Sequence, residues 1–366
     1  MAISIGSTLP SICLSSEIPD ISVTITGTSL AVVIGYGEDN SVTEMTTVFS
    51  ETLYPSDGVV VLTDLPELMK AWCYESKYLV MTVLLTEQDA SGTAVATDQL
   101  TSTVYYSRAD VTSHGVGVDG AEWLSSHFLT AVDGVKPTVM GRKEIIWYAD
   151  EMSSTVTPSI VARYADGTSQ TKQIDAHASS RSEHYVCIDV SPSVMAVDGK
   201  TLVGYTVIAG ARMQEYEMQF GRHDGQPAMI FENIFGLDET LYCDGELKTS
   251  PSFKFNSAYI EGKLKNYDIE ETRTFKANTG PLVSAQLPWV RDFLTSPYIR
   301  LLDTCGDTPV TGKEVVITEA KAESSTVDDD LPAFTFSYQY AQKNQHVRES
   351  HARGRIFDNT FDYTFN

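Results

Sequence analysis

Short runs of β-branched and aromatic residues, cut again and again by turn dipeptides, dominate this chain and point to a fold of antiparallel strands. Runs such as ISVTITG (21–27), SLAVVIGYG (29–37), YLVMTVLLT (78–86), KEIIWYA (143–149), SIVARYA (159–165), GYTVIAG (204–210) and AFTFSYQYA (333–341) recur along its 366 residues. Several alternate with period 2, the mark of a half-buried strand. Asp-Gly occurs seven times, with Asp57, Asp119, Asp133, Asp166, Asp198, Asp224 and Asp244 each followed by Gly. A type I′ turn needs positive φ at both central residues, so Asp-Gly between strands predicts hairpins.

The chain is too long for one ordinary core. At a shift of 126 residues Leu62, Pro66, Leu68 and Met69 fall on Ile188, Pro192, Val194 and Met195, so a strand followed by a Pro-started helical turn occurs twice. The expected fold is mainly β, with tandem antiparallel β-sandwich domains followed by a β-barrel or sandwich domain flanked by one α-helix. The sandwiches are placed at 1–110 and 125–218 with a linker at 111–124, and the barrel-like domain at 219–342. LPELMKAWC sets Leu65, Leu68, Met69 and Trp72 at helical spacing, with Asp64 available as a cap and Pro66 in the first turn. The flanking helix is predicted at about 281–296, where Val283, Leu287, Val290 and Leu294 repeat at helical steps between Pro288 and Pro297.

Charge narrows the function. A net charge of −23 sets the surface against nucleic acid and anionic membranes. No apolar run reaches the ~18–20 residues of a membrane helix. The first residues, MAISIGSTLPSICLSS, contain no Lys or Arg, unlike a secretory signal, so the chain is expected to be made in the cytoplasm and to stay soluble until it assembles. Five scattered cysteines predict reduced, mostly buried thiols. Residues 1–110 hold 14 acids against Lys70, Lys77 and Arg108, whereas 343–355 holds Lys343, Arg348, Arg353 and Arg355 against Glu349. An acidic body with a basic arm can pair head to tail with its own copies.

Chemistry is hard to find. His346 and His351 stand five apart, off the i, i+4 spacing that shares a helix face, and His114, His127, His177, His184 and His223 are isolated. Nucleophile elbows, phosphate loops and zinc or calcium motifs are missing, and Asp328, Asp329 and Asp330 read as a solvated loop tip. Nothing singles out a glycosidase carboxylate pair from the many acids. No catalytic residue, metal or cofactor is expected. The closing run GRIFDNTFDYTFN instead spaces Phe357, Phe361 and Phe365 every four residues behind Arg353 and Arg355. These five residues are the candidate assembly contact, within an arm at 343–366 expected to cross to a neighbouring subunit.

That run, with AMIFENIFGLDET (228–240) and WVRDFLTSPYIRLLD (289–303), resembles tail or baseplate structural proteins of phages and prophages of Bacteroides-type bacteria, mainly over residues 220–366. A barrel or sandwich flanked by one helix is also similar to the fold shared by phage tail-tube and distal-tail proteins. The resemblance implies a virion tail component without catalytic residues, forming a homo-oligomeric ring and binding other tail or baseplate proteins. A carbohydrate-binding or adhesion module is the alternative. It would expose aromatic platforms around Trp72, Trp123 or Trp147, but these lie in apolar runs that read as core.

Overall fold

The computed structural model describes residues 3–7, 9–37, 45–109, 120–150, 156–174, 177–179, 182–221, 226–305, 308–321 and 332–342. The fold is mainly β and builds several largely antiparallel sheets. The N-terminal part contains β1 (Ser4–Ile5), β2 (Ile12–Leu14), β3 (Ile21–Thr24), β4 (Ser29–Gly37), β5 (Thr46–Leu53), β6 (Val59–Leu62), helix α1 (Leu65–Ser76), β7 (Tyr78–Gln88) and β8 (Ala94–Tyr105). A three-stranded sheet ordered β1-β3-β6 faces a five-stranded sheet ordered β2-β8-β7-β4-β5. Val23, Val32, Met81 and Val83 are fully buried between them.

The next part repeats one of these two sheets. It comprises α2 (Gly120–Ser126), β9 (Val135–Thr138), β10 (Ile145–Ala149), β11 (Ser159–Tyr164), β12 (Ser169–Gln173), β13 (His177–Ser179), β14 (Ser182–Asp189), β15 (Leu202–Ala209) and β16 (Arg212–Met218). Its five-stranded sheet runs β9-β16-β15-β11-β12. Strand for strand this is the order of the first, including one parallel pair at the same edge, β2 with β8 and β9 with β16. Pro66 sits in the first turn of α1, and Pro192 opens a single 3₁₀ turn, Pro192–Met195, at the corresponding place after β14. The repeat extends to the order of the five-stranded sheet only, because the smaller sheet of this part is ordered β10-β14-β13, unlike β1-β3-β6.

Helix α1 buries Leu65, Met69 and Cys73, one residue per turn along a single face, while Leu68 and Trp72 pack beside the same core. Asp64 does not cap it. Its backbone is left-handed, with φ of 60°, and its side chain makes no capping bond. The helix ends at Lys77, also left-handed at φ 62°, whose N–H bonds the Cys73 carbonyl at 2.7 Å. The stretch read as a linker contains most of a structural element: α2 buries Trp123 and Leu124.

The C-terminal part holds β17 (Ala228–Glu232), β18 (Asp238–Tyr242), β19 (Lys248–Ile260), β20 (Lys263–Asn278), helix α3 (Leu287–Leu294), β21 (Ile299–Cys305), β22 (Thr308–Lys321) and β23 (Thr335–Tyr340). They form one seven-stranded sheet ordered β18-β17-β21-β22-β23-β20-β19. The sheet stays open, with β18 and β19 at its two ends, where a closed barrel would join them. Helix α3 is shorter than its sequence pattern, because Pro288 sits in its first turn and the chain before it forms a 3₁₀ turn at Ser284–Gln286. Its buried face is Trp289, Val290 and Phe293, while Val283 lies outside it and is exposed.

One core joins the parts. Leu14 and Tyr105, Trp123 and Tyr185, and Phe231, Phe293 and Phe336 belong to the same buried cluster, so the third sheet packs against both earlier pairs.

Candidate assembly surface

The seven-stranded sheet extends past its own core. Strand β20 pairs with β23 only over Thr274–Asn278, and from Arg273 outward it pairs with β19 alone. At about 3.3 Å per residue, the two-stranded ribbon runs roughly 35 Å beyond the body. Its turn is Glu261-Gly262, with φ of 54° and 74°, the double positive φ of a type I′ turn in which Gly262 bears no steric cost.

Cross-strand register gives the ribbon two unlike faces. Phe253 lies opposite Glu271, Phe255 opposite Ile269, and Tyr259 opposite Leu264. Residues directly opposite share a face and alternate residues along a strand share a face, so Phe253, Phe255, Tyr259, Leu264 and Ile269 form one stripe. The rings of Phe253 and Phe255 stack at 6.3 Å. The other face is polar except for Ile260 at the tip: Lys254 bonds Glu270 at 3.3 Å and Asn256 bonds Asp268 at 3.2 Å. Register shifts beside Asn256 and leaves Tyr267 without a cross-strand partner.

The apolar stripe is a core face left uncovered. On β20 it continues past the Glu271–Arg273 pair to Phe275, stacked 4.9 Å from Tyr338, and to Ala277, opposite the buried Phe336. There α3 covers the sheet, with Phe293 edge-on to Phe336 at 5.2 Å. Farther out none of the described residues covers it, and Tyr259 is 79% exposed, Leu264 62% and Phe255 57%. A two-stranded ribbon in water is marginal without something packed on it.

The opposite end of the sheet is closed by the second pair of sheets. Trp147 Nε1 donates to the Asp238 carbonyl at 2.8 Å, and the Lys143 N–H donates to Tyr242 Oη at 2.7 Å. Beneath this joint Lys136 Nζ lies 3.0 Å from Glu144 and 3.9 Å from Glu239, all three buried. Burial holds the Glu239 carboxyl above its ordinary range, against the pull of Lys136 and of hydrogen bonds from Asn233 and Thr130. At the joint with the first pair, Asp292 Oδ2 accepts the Ile234 N–H at 2.8 Å and Oδ1 lies 3.4 Å from Arg108. Burial pushes the Asp292 carboxyl up to about 8. Each of these acids is spent on partners within a joint.

Next to that closed end is a groove of about 560 Å³ whose lining includes Trp123, His127, Met213, Phe235 and Pro288. Trp123 is stacked between His127 and Phe235, with ring centroids 5.1 and 5.0 Å away. Asp133 and Glu215 also line it.

The residues singled out by sequence, Arg353, Arg355, Phe357, Phe361 and Phe365, lie outside the described residues. So do His346, His351 and the triple aspartate. The tryptophans of the adhesion alternative present no exposed platform: Trp123 is buried, and Trp72 and Trp147 are half-buried against the cores. Cys13, Cys73 and Cys243 are buried free thiols, and Cys187 is a half-buried one. Among the described residues no group of three or more His, Cys, Asp or Glu is placed to hold a metal ion, and no helix is long and apolar enough to cross a membrane. Sequence reasoning reads long strands over 239–277 but misses the exposed apolar face of this hairpin, although SFKFNSAYI shows the alternation that builds its stripe. No family model matches the chain, and neither does any curated protein.

Proposed function

We propose that this chain is a structural subunit, not an enzyme, that assembles with copies of itself in the manner of phage tail or baseplate components. The observation that carries this reading is the hairpin β19–β20, whose apolar face continues a covered core face and stands exposed. An apolar patch of that size on a folded chain marks a contact surface. The candidate arm at 343–366, with Arg353, Arg355, Phe357, Phe361 and Phe365, belongs to the same proposal as a second contact made by the C-terminal part. A ring of copies, joined to other tail proteins in a virion, is the form that the resemblance to tail proteins favours.

The test is the mass of the purified full chain by light scattering over a range of concentrations. A discrete multiple of the monomer is expected. A Phe253→Ser, Phe255→Ser variant should return to the monomer mass with an unchanged circular dichroism spectrum. Monomer mass for the unaltered chain at every concentration would overturn the proposal.

A further inference from the structure

We infer that the tip of hairpin β19–β20 seats in the Trp123–Phe235 groove of a second copy, an inference that rests on the self-assembly reading and names its contact. Two features on opposite sides of one molecule suit each other. The hairpin leaves the β19 end of the seven-stranded sheet, and the groove takes Ile234 and Phe235 from the turn between β17 and β18 at the other end. Six strand spacings of about 4.8 Å separate those ends by roughly 29 Å. A knob and a pocket so placed make a head-to-tail contact, which closes into a ring or runs on as a filament.

Size and chemistry agree. Phe253, Phe255, Tyr259, Leu264, Tyr267 and Ile269 are between 37% and 79% exposed. At roughly 150–250 Å² for each aromatic side chain, the ribbon offers on the order of 600–700 Å² of largely apolar surface, close to one partner's share of a standard interface. The groove offers a thioether wall in Met213, which is 64% exposed at its edge, while Trp123 and Phe235 are only 8% and 1% exposed.

Charge favours a copy of this chain over an unspecified partner. The chain as a whole carries −23, so two copies repel over most of their surfaces. Residues 248–270 are different: Lys248, Lys254, Lys263 and Lys265 outnumber Glu261, Asp268 and Glu270. Lys263 and Lys265 flank the tip, on the face opposite Tyr259 and Leu264; Lys265 is paired with Glu261 at 3.3 Å, which leaves Lys263 as the tip's net positive charge. Asp133 and Glu215 line the groove, and neither is ion-paired among the described residues. Acid at the groove and cation beside the tip steer a second copy into this register.

The experiment uses full chains carrying Tyr259→Cys or Met213→Cys, each alone and mixed in equal amounts with a short bis-maleimide, with the unaltered chain as control for native thiols. The expected result is a covalent dimer in the mixture well above either variant alone, and a ladder of higher species from the doubly substituted chain. Lys263→Glu with Lys265→Glu should weaken association by about tenfold or more, and Asp133→Lys with Glu215→Lys in the partner should restore it. Dimers from Tyr259→Cys alone, as strong as in the mixture, would mean that hairpins pair with each other and would overturn the contact. Scattering that shows assembled particles without the mixed cross-link, or without charge rescue, would also overturn it while leaving self-assembly intact. Monomers under all conditions would overturn both.

Discussion

Tyr185 Oη donates a 2.6 Å hydrogen bond to the carbonyl of Lys77, tying a strand of the second pair of sheets to the residue that ends the helix of the first. The same carbonyl also accepts the Tyr106 N–H at 2.9 Å. Lys77 itself is buried, 3.6 Å from Glu232 on β17 and over the Tyr74 ring at 3.7 Å. One left-handed residue thus touches all three parts of the molecule, which makes them one mechanical body from which the hairpin projects.

Removing that hydroxyl isolates one bond of the joint. Tyr185→Phe leaves the carbonyl still bonded by Tyr106, so no acceptor is stranded, and the expected loss is about 1 kcal/mol. Urea unfolding followed by tryptophan fluorescence measures it. The slope with urea should not change, because the surface exposed on unfolding is the same.

Lys136 should be far less tolerant. It is the cation between Glu144 and Glu239, and Lys136→Met would leave two buried carboxylates without it. Breaking a buried ion pair from one side costs about 3–5 kcal/mol. The double variant Lys136→Met, Glu144→Gln should recover a large part of that loss, because one of the stranded charges has gone. Thermal unfolding of the two variants side by side reads the difference, and equal melting points would contradict it.

The Asp292 carboxyl, pushed up to about 8 by burial, gives stability a pH dependence of definite sign. The folded state holds a proton that the unfolded chain, with an ordinary value of 3.8, releases. Stability from this group is therefore fully present below about pH 4 and is lost as pH rises through about 8. Glu239, also raised by burial, works in the same direction. The free energy of unfolding should fall between pH 5 and pH 8. Asp292→Asn keeps an acceptor for the Ile234 N–H and should flatten that slope in urea titrations at several pH values.

Much of the framework was legible because it follows from local rules. Asp166-Gly167 does join the paired strands β11 and β12, but only Gly167 has a positive φ, 79°, so the turn is not the type I′ its dipeptide predicts; among the described residues Asp57-Gly58, at φ 51° and 79°, is the one Asp-Gly with both positive. Pro66 and Pro192 marked equivalent corners because a proline tolerates the first turn of a helix and little else nearby. The edge strands β5 and β12 were harder, since TTVFSETL and SQTKQ are largely exposed and carry no clear apolar period. The joints were invisible for a different reason. Glu239 and Asp292 are far in sequence from Lys136 and Glu144, and only the packing of the sheets makes these charged residues interior. The hairpin's stripe alternates as a buried strand does, so its exposure depends on where the sheet's core stops, which no local pattern records.

The hairpin turn offers a separate handle on assembly. Glu261 adopts φ 54°, a conformation that Asn accepts with less strain than Glu, and Asn-Gly is a preferred type I′ pair. Glu261→Asn should therefore hold the ribbon closed more of the time without touching the stripe of Phe253, Phe255 and Tyr259. Hydrogen exchange would report it as slower exchange confined to amides 250–273, with the melting point of the body unchanged. Since a preformed ribbon loses less entropy on docking, the same variant should also lower the concentration at which copies associate. Gly262→Val works the other way, because a β-branched side chain at φ 74° is strained. It should speed exchange over the same amides and weaken association. Slower exchange in Glu261→Asn with no change in association would separate the ribbon's stability from its part in joining copies.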